Sequence, residues 1–359
     1  MNKPLVYDFD LEQIAAQFQE WGQPGFRATQ FWQGLYQQLW SRPDDFSTFP
    51  KELRAKLGEQ FNFSNLEEAQ RLFSTDKETT KVLFRLPDKQ AIETVLMRYS
   101  DRRTLCISTQ AGCAMGCVFC ATGQMGFRRN LSSGEIVEQV LFFARELKAL
   151  GDRPTNIVLM GMGEPFHNYE ATMAAIDRMT DPQGMNMGAR RFTISTVGLI
   201  PVIKRFTAEK RQIGLAISLH ASEDALRSSM LPVNKRYPIK ELIQACREYV
   251  ETTGRRITFE WALIQNVNDS PQEARNLAQL LKGLICHVNV IPLNPTSGYA
   301  GERSTRERVA AFREVLEAAG ISCTVRVRRG IDIQAGCGQL AEQAAPAKDA
   351  INPSVLKFG

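Results

Sequence analysis

The chain has 359 residues, 43% hydrophobic and 23% charged, with a net charge of +5. That is enough for one large domain plus a small one, in the composition range of a globular protein. No apolar run approaches the roughly 18–20 residues of a membrane span and no signal-peptide pattern opens the chain, so no membrane contact and a cytoplasmic location are expected.

Residues 1–64 read as a helical module. Leu11, Ile14, Ala15 and Phe18 recur at helical spacing, Gly22-Gln-Pro-Gly25 interrupts, a second helix starts at Phe26 and a third runs through Lys51–Leu57. Trp21, Phe26, Phe31, Trp32, Tyr36 and Trp40 form its expected mini-core. Arg27, Arg42, Lys51, Arg54 and Lys56 suit either a phosphate-gripping face or a plain packing appendage. Residues 65–100 change period: 81–86 and 92–97 read as two strands around Pro87-Asp-Lys-Gln90, a β-hairpin connection that carries Glu93. A glutamate in such a strand ordinarily faces solvent, so composition alone does not single it out.

From 101 to 340 strands and helices alternate. Strands are expected at 104–109, 155–160, 192–196, 213–219, 257–264, 286–292 and 322–328, with helices near 132–149, 168–180, 199–209, 238–253, 270–282 and 304–320. The pattern is that of parallel α/β units, as an open doubly wound sheet or a partial barrel, with chemistry at the C-terminal strand ends in either case. Residues 341–359 read as a flexible tail.

The chemistry-bearing residues fall at those ends. Cys113-Ala-Met-Gly-Cys117-Val-Phe-Cys120 follows the first strand. Three thiolates on one Gly-containing loop select an iron–sulfur cluster or zinc, with Cys106 or Cys337 as a fourth ligand in the zinc case. Eight cysteines and three histidines favour metal or catalytic thiols over a disulfide framework or a histidine-ligated site. Gly161-Met-Gly163-Glu164-Pro165 is a glycine turn with a carboxylate able to hold an ammonium group. Ser195, Ser218 and Asn294 offer neutral hydrogen-bonding groups to ribose or carboxylate, or act as caps; His220, after Leu219, contacts ligand or is a satisfied structural histidine. Cys106 and glycine-flanked Cys337 are spare thiols near the site, whereas Cys246, Cys286 and Cys323 read as small core residues. Paired cations such as Arg102-Arg103, Arg128-Arg129 and Arg328-Arg329 flank these motifs, as for a polyanion laid over the active face or for solvated element ends.

The triad resembles the radical S-adenosylmethionine signature. Taken with Ile92-Glu93-Thr-Val, Leu105-Cys106-Ile-Ser, Met160–Pro165, Ser195-Thr-Val-Gly, Ala216-Ile-Ser-Leu-His-Ala221, Val267-Asn-Asp269, Asn289–Pro295 and Ala335-Gly-Cys-Gly-Gln-Leu340, the chain resembles, over essentially its whole length, the radical SAM adenine-C2 methyltransferases of 23S rRNA and tRNA. One departure is Gly336, where the family has alanine. The resemblance implies a partial (βα)6 TIM-type barrel and a [4Fe-4S] cluster on Cys113, Cys117 and Cys120. It implies two S-adenosylmethionines per turnover, bound by Gly163, Glu164, Pro165, Ser195, Ser218, Leu219, His220 and Asn294. It further implies that Cys337 is methylated, that a 5′-deoxyadenosyl radical takes hydrogen from that methyl, and that the carbon adds to adenine C2. Glu93 or Cys106 then accepts the C2 proton, and Cys106 closes a transient disulfide with Cys337. The implied partners are 23S rRNA, tRNA and a one-electron reductant such as flavodoxin, for a monomer. C8 methylation of the same rRNA adenosine, as in related resistance-type enzymes, uses the same residues, and a zinc-stabilised RNA-binding protein is the alternative of another class.

Overall fold

The computed structural model describes residues 3–326 and 329–340. The N-terminal module begins with a closed capping box: Asp10 accepts from the Gln13 N–H, and Gln13 accepts from the Asp10 N–H, opening α1 (Leu11–Glu20). α2 (Phe26–Gln33) and α3 (Lys51–Gln60) follow. The mini-core is built on Phe18, Phe31, Trp32, Tyr36, Phe46 and Phe49, all buried, with Phe31 and Phe46 ring centroids 4.8 Å apart. Phe26, expected in it, is 57% exposed, because it opens α2 on the outer side, with Arg27 over its ring. Most of the module's cations are engaged locally: Arg42 with Asp45, Arg54 with Asp44, Lys56 over Trp21 and Arg27 over Phe49.

Three strands come next, β1 (Glu67–Phe73), β2 (Thr79–Arg85) and β3 (Ala91–Arg98). The polar β1 was not anticipated. It is an exposed edge strand, where charged side chains block further pairing. The main domain runs β4 (Arg103–Cys106), β5 (Gln110–Gly112), α4 (Ala121–Gln124), β6 (Phe127–Asn130), α5 (Ser133–Ala149), β7 (Asn156–Leu159), α6 (Tyr169–Thr180), β8 (Phe192–Thr196), α7 (Ile200–Ala208), β9 (Gly214–Ser218), α8 (Asp224–Met230), α9 (Ile239–Thr253), β10 (Ile257–Leu263), α10 (Pro271–Leu280), β11 (Cys286–Pro292), α11 (Arg306–Ala318) and β12 (Ser322–Val325). The unforeseen pieces are the small β5–β6 hairpin, α4 and α8.

Ten strands form one sheet in the order β1-β2-β3-β4-β7-β8-β9-β10-β11-β12. β1 to β4 pair antiparallel, and from β4 onward every pairing is parallel. The hairpin region is therefore the continuation of the main sheet, not a separate connection. Each parallel strand lies beside its successor, so right-handed crossovers place all the helices on one face and curl the sheet. A doubly wound sheet would reverse its strand order at a switch point, and none occurs here. The result is the partial barrel, open between β12 and the β1 edge. Trp261, Phe192, Phe143 and Tyr249 are fully buried in the layer between sheet and helices. Arg328 and the tail expected at 341–359 lie outside the described residues. Among the described residues no helix is long and apolar enough to cross a membrane.

Candidate active site

A cavity opens at the C-terminal ends of the parallel strands. Cys113, Cys117, Cys120, Gly163, Glu164, Ser195, Ser218, His220, Asn294 and Cys337 all line it. Two residues expected there do not. Leu219 is fully buried in the core: side chains alternate along the chain leaving β9, so Ser218 faces the cavity and Leu219 the opposite side. Pro165 opens the 3₁₀ turn Pro165–Asn168 and is itself buried.

The cysteine loop is held by close backbone approaches. Gly112 has φ +72°, and a Cβ there would sit 2.0 Å from the Gly126 carbonyl oxygen. A Cβ at Gly123 would meet Cys117 N and O at 2.9 Å. Burial pushes all three thiols above the ordinary cysteine range, Cys113 and Cys117 most clearly. A bound cationic centre reverses that preference and takes them as thiolates. A zinc site needs ligands converging on one ion. Among the described residues no three His, Cys, Asp or Glu side chains converge closely enough to hold a single metal ion. Three thiols spread around one cavity fit a polynuclear cluster with an open side, and Cys106, a suggested fourth zinc ligand, is not on that wall.

Glu164 ties two strand ends together. Its Oε2 accepts from the Val197 N–H at 2.9 Å and its Oε1 from the Phe166 N–H at 3.0 Å. Burial raises its pKa to about 7. Ser195 and Ser218 hydroxyls lie 3.4 Å apart at neighbouring strand ends. Asn294 donates to the Cys337 carbonyl at 3.0 Å, so it holds the C-terminal loop as well as lining the cavity.

His220 has φ +61°, and its Nδ1 accepts from the Ala262 N–H at 2.8 Å. The neutral ring then carries its proton on Nε2. Burial lowers its pKa from 6.5 to about 3. As pH falls below 6.5 the unfolded ring binds a proton and the folded ring does not, so stability present above 6.5 is lost as pH falls towards 3. Between pH 7 and 5 the loss through this ring is about 2 kcal/mol. In urea unfolding, H220Q, which keeps an acceptor for Ala262, should lack that part of the pH dependence. An unchanged pH dependence would mean that the folded ring titrates normally.

Cys337 also lines a second cavity, with Cys106, Met97, Arg326 and Arg329. It therefore stands on a wall common to both, and Cys106 and Cys337 are free thiols. Burial pushes Cys106 up to about 12. Glu93 is 2% exposed, contrary to the solvent-facing expectation, and pairs with Lys81 Nζ at 2.8 Å. Cys106 stands opposite Val95 in the β3–β4 register, so Glu93, two residues away, shares its face.

Two charged wall residues escaped the sequence reading. Arg326 lines both cavities, and electrostatic interaction with Cys337, then with Glu260, raises its guanidinium above the usual range. Glu260 lies opposite Ser218 on one side and Asn289 on the other, accepts from Asn289 Nδ2 at 2.8 Å, and is raised by burial. A lone carboxylate in the apolar run Ile257–Leu263 was the available signal.

Residues 107–278 match the radical SAM superfamily, and residues 6–62 match the ribosomal RNA large subunit methyltransferase N-terminal domain. The chain is 50% identical over 335 residues to dual-specificity RNA methyltransferase RlmN 1 of Myxococcus xanthus, covering 93% of each. It belongs to the RlmN family of radical SAM methyltransferases. A crystal structure of a radical SAM methyltransferase from Sphaerobacter thermophilus superposes with TM-score 0.92 at 51% identity, covering 94% of this chain and 99% of that one. The RlmN-type N-terminal domain match ends at 62, two residues short of the module boundary set by the change of period.

Proposed function

We propose that this RlmN-family chain methylates C2 of an adenosine in the peptidyl-transferase centre of 23S rRNA and of the adenosine 3′ to the anticodon in some tRNAs. The observation that carries this reading is the position of Cys337, with the cluster thiols in one adjoining cavity and Cys106 in the other. When bound, the [4Fe-4S] cluster and S-adenosylmethionine supply a methyl group and a 5′-deoxyadenosyl radical. Cys113, Cys117 and Cys120 hold the cluster, while Gly163, Glu164, Ser195, Ser218, His220 and Asn294 surround the cosubstrate. Cys337 Sγ takes the methyl group, and after loss of one hydrogen that carbon bonds to adenine C2. Glu93 or Cys106 removes the C2 proton. The adduct radical would pass one electron to the cluster; Cys106 Sγ, as the thiolate, then bonds to Cys337 Sγ as the Cys337 S–C bond breaks, and the carbon keeps that electron pair and takes a proton, which leaves the methyl on the base.

A flavodoxin-type donor reduces the cluster, and the chain works as a cytoplasmic monomer. C8 methylation would use the same thiols; near-full-length similarity to a dual-specificity RNA methyltransferase favours C2. The test is nucleoside mass spectrometry after anaerobic incubation of the reconstituted protein with S-adenosylmethionine, reductant and protein-free 23S rRNA. A 2-methyladenosine peak is expected. An 8-methyladenosine peak would overturn the position, and metal analysis giving one zinc without iron or sulfide would overturn the chemistry.

A further inference from the structure

The strands β1–β3 contribute only Glu93 to that chemistry, yet they and their β1–β2 turn grip the loop 329–340 that carries Cys337. Asp332 Oδ2 accepts from Thr75 N and Oγ1 at 2.7 and 2.8 Å. Arg329 pairs with Glu78 at 3.3 Å. Gly330 docks so closely that a Cβ would meet Thr79 Cγ2 at 2.7 Å. Lys81 Nζ donates to the Gln334 carbonyl at 3.3 Å. On its other side the loop is fixed to the cluster segment and to Asn294, through Gly338 O accepting from the Ala121 N–H at 2.7 Å and Cys337 O accepting from Asn294.

Lys81 differs from the other grips because it serves two elements at once. It is 4% exposed and lies 2.8 Å from Glu93 Oε1 while it holds Gln334. An ammonium this deep carries a large desolvation cost and is retained only where its donors are matched. Its partners are the buried carboxylate that shares a face with Cys106 and the backbone three residues before Cys337. We propose that Lys81 is a positioning residue that locks the Glu93 carboxylate and the Cys337 loop into one frame. The loop whose thiol carries the methyl and the carboxylate proposed to take the C2 proton are thereby held in register through one ammonium. This rests on the proposed roles of Glu93 and Cys337, but the anchoring itself is a property of the fold.

The test uses the reconstituted holoenzyme with K81M, K81R and the charge-balanced double variant K81M/E93Q. Loss of one charge-assisted hydrogen bond should raise opening of the loop, read as trypsin cleavage after Arg329, about tenfold in K81M and in K81M/E93Q. K81R, which keeps charge and donors, should restore most of the protection. In K81M the ratio of 5′-deoxyadenosine to methyladenosine should also rise about tenfold, because radical formation persists while the methyl carbon misses its target. Because K81M removes the ammonium beside the buried Glu93 carboxylate, the double variant gives the cleavage result even if K81M does not fold. Wild-type cleavage rates in the variants that fold overturn the anchoring. Faster cleavage with a wild-type product ratio in K81M overturns the positioning role. If the unmodified protein forms 5′-deoxyadenosine but no methyladenosine, the functional reading has failed, and cleavage alone decides whether Lys81 anchors the loop.

Discussion

Replacing Cys106 by alanine should turn the protein into a trap, with RNA accumulating covalently on Cys337 and turnover stopping after the first event. The reason is bond accounting. Once the carbon on Cys337 has joined the base, the Cys337 S–C bond has to break, and another sulfur must take Cys337 Sγ. Cys106 is the second thiol on the wall of the cavity that Cys337 shares. Alanine leaves nothing there to accept the sulfur, and water cannot substitute for a thiol in that exchange. Multiple-turnover methylation should fall below about one thousandth of wild type, in line with loss of a residue that acts as part of a unit. A denaturing gel should show a protein–RNA band, and mass spectrometry should place the adduct on Cys337. C337A should show neither adduct nor methylation, while its cluster absorbance stays intact. C106A turning over normally, or forming no adduct, would remove Cys106 from the final step.

What was legible in the sequence was what local pattern controls. The α/β alternation places α5 at Ser133–Ala149 against an expected 132–149 because Ser132 caps it, accepting from Glu135 N–H while Glu135 reaches back. The thiol triad and the glycine turn were legible because their spacing is itself the chemistry. The side chains that escaped notice are those whose role is set by partners far along the chain. Lys81 looks like a solvated strand lysine until Glu93 and Gln334 are brought to it. Arg326 looks like the start of a basic surface run, yet it lines both cavities. Leu219 and Ser218 are adjacent in a motif, and only the register of β9 decides which of the two faces the cavity. The β1 strand escaped because an edge strand buries too little to carry an apolar alternation.

Arg227 is the extreme case, and its replacement by methionine should have the largest effect on stability. The segment Ser222-Glu-Asp-Ala-Leu-Arg-Ser-Ser-Met230 reads as polar surface, and no helix was expected there. In the fold, Arg227 on α8 is fully buried. Nη2 donates to Val197 O at 2.6 Å and Ser218 O at 3.0 Å, Nε to Leu219 O at 3.1 Å, and Nη1 to Asn234 Oδ1 at 2.9 Å. Burial lowers its pKa to about 10, so it remains charged at neutral pH. One planar guanidinium thus satisfies the backbone where β8 and β9 end and where Val197 and Ser218 form the cavity wall. Methionine fills similar space but strands three carbonyls and an amide oxygen, each costing about 1–3 kcal/mol if it stays dry. With partial relaxation the expected loss is on the order of 3–5 kcal/mol, read as a lower urea midpoint at unchanged slope. R227K, with three donors on a point charge and no planar fork, should fall between the two. S-adenosylmethionine affinity should fall in both variants, because the strand ends that Arg227 holds line the cavity proposed to take it. A loss below about 1 kcal/mol in R227M would mean that water reaches these carbonyls and that the strand ends hold their own position.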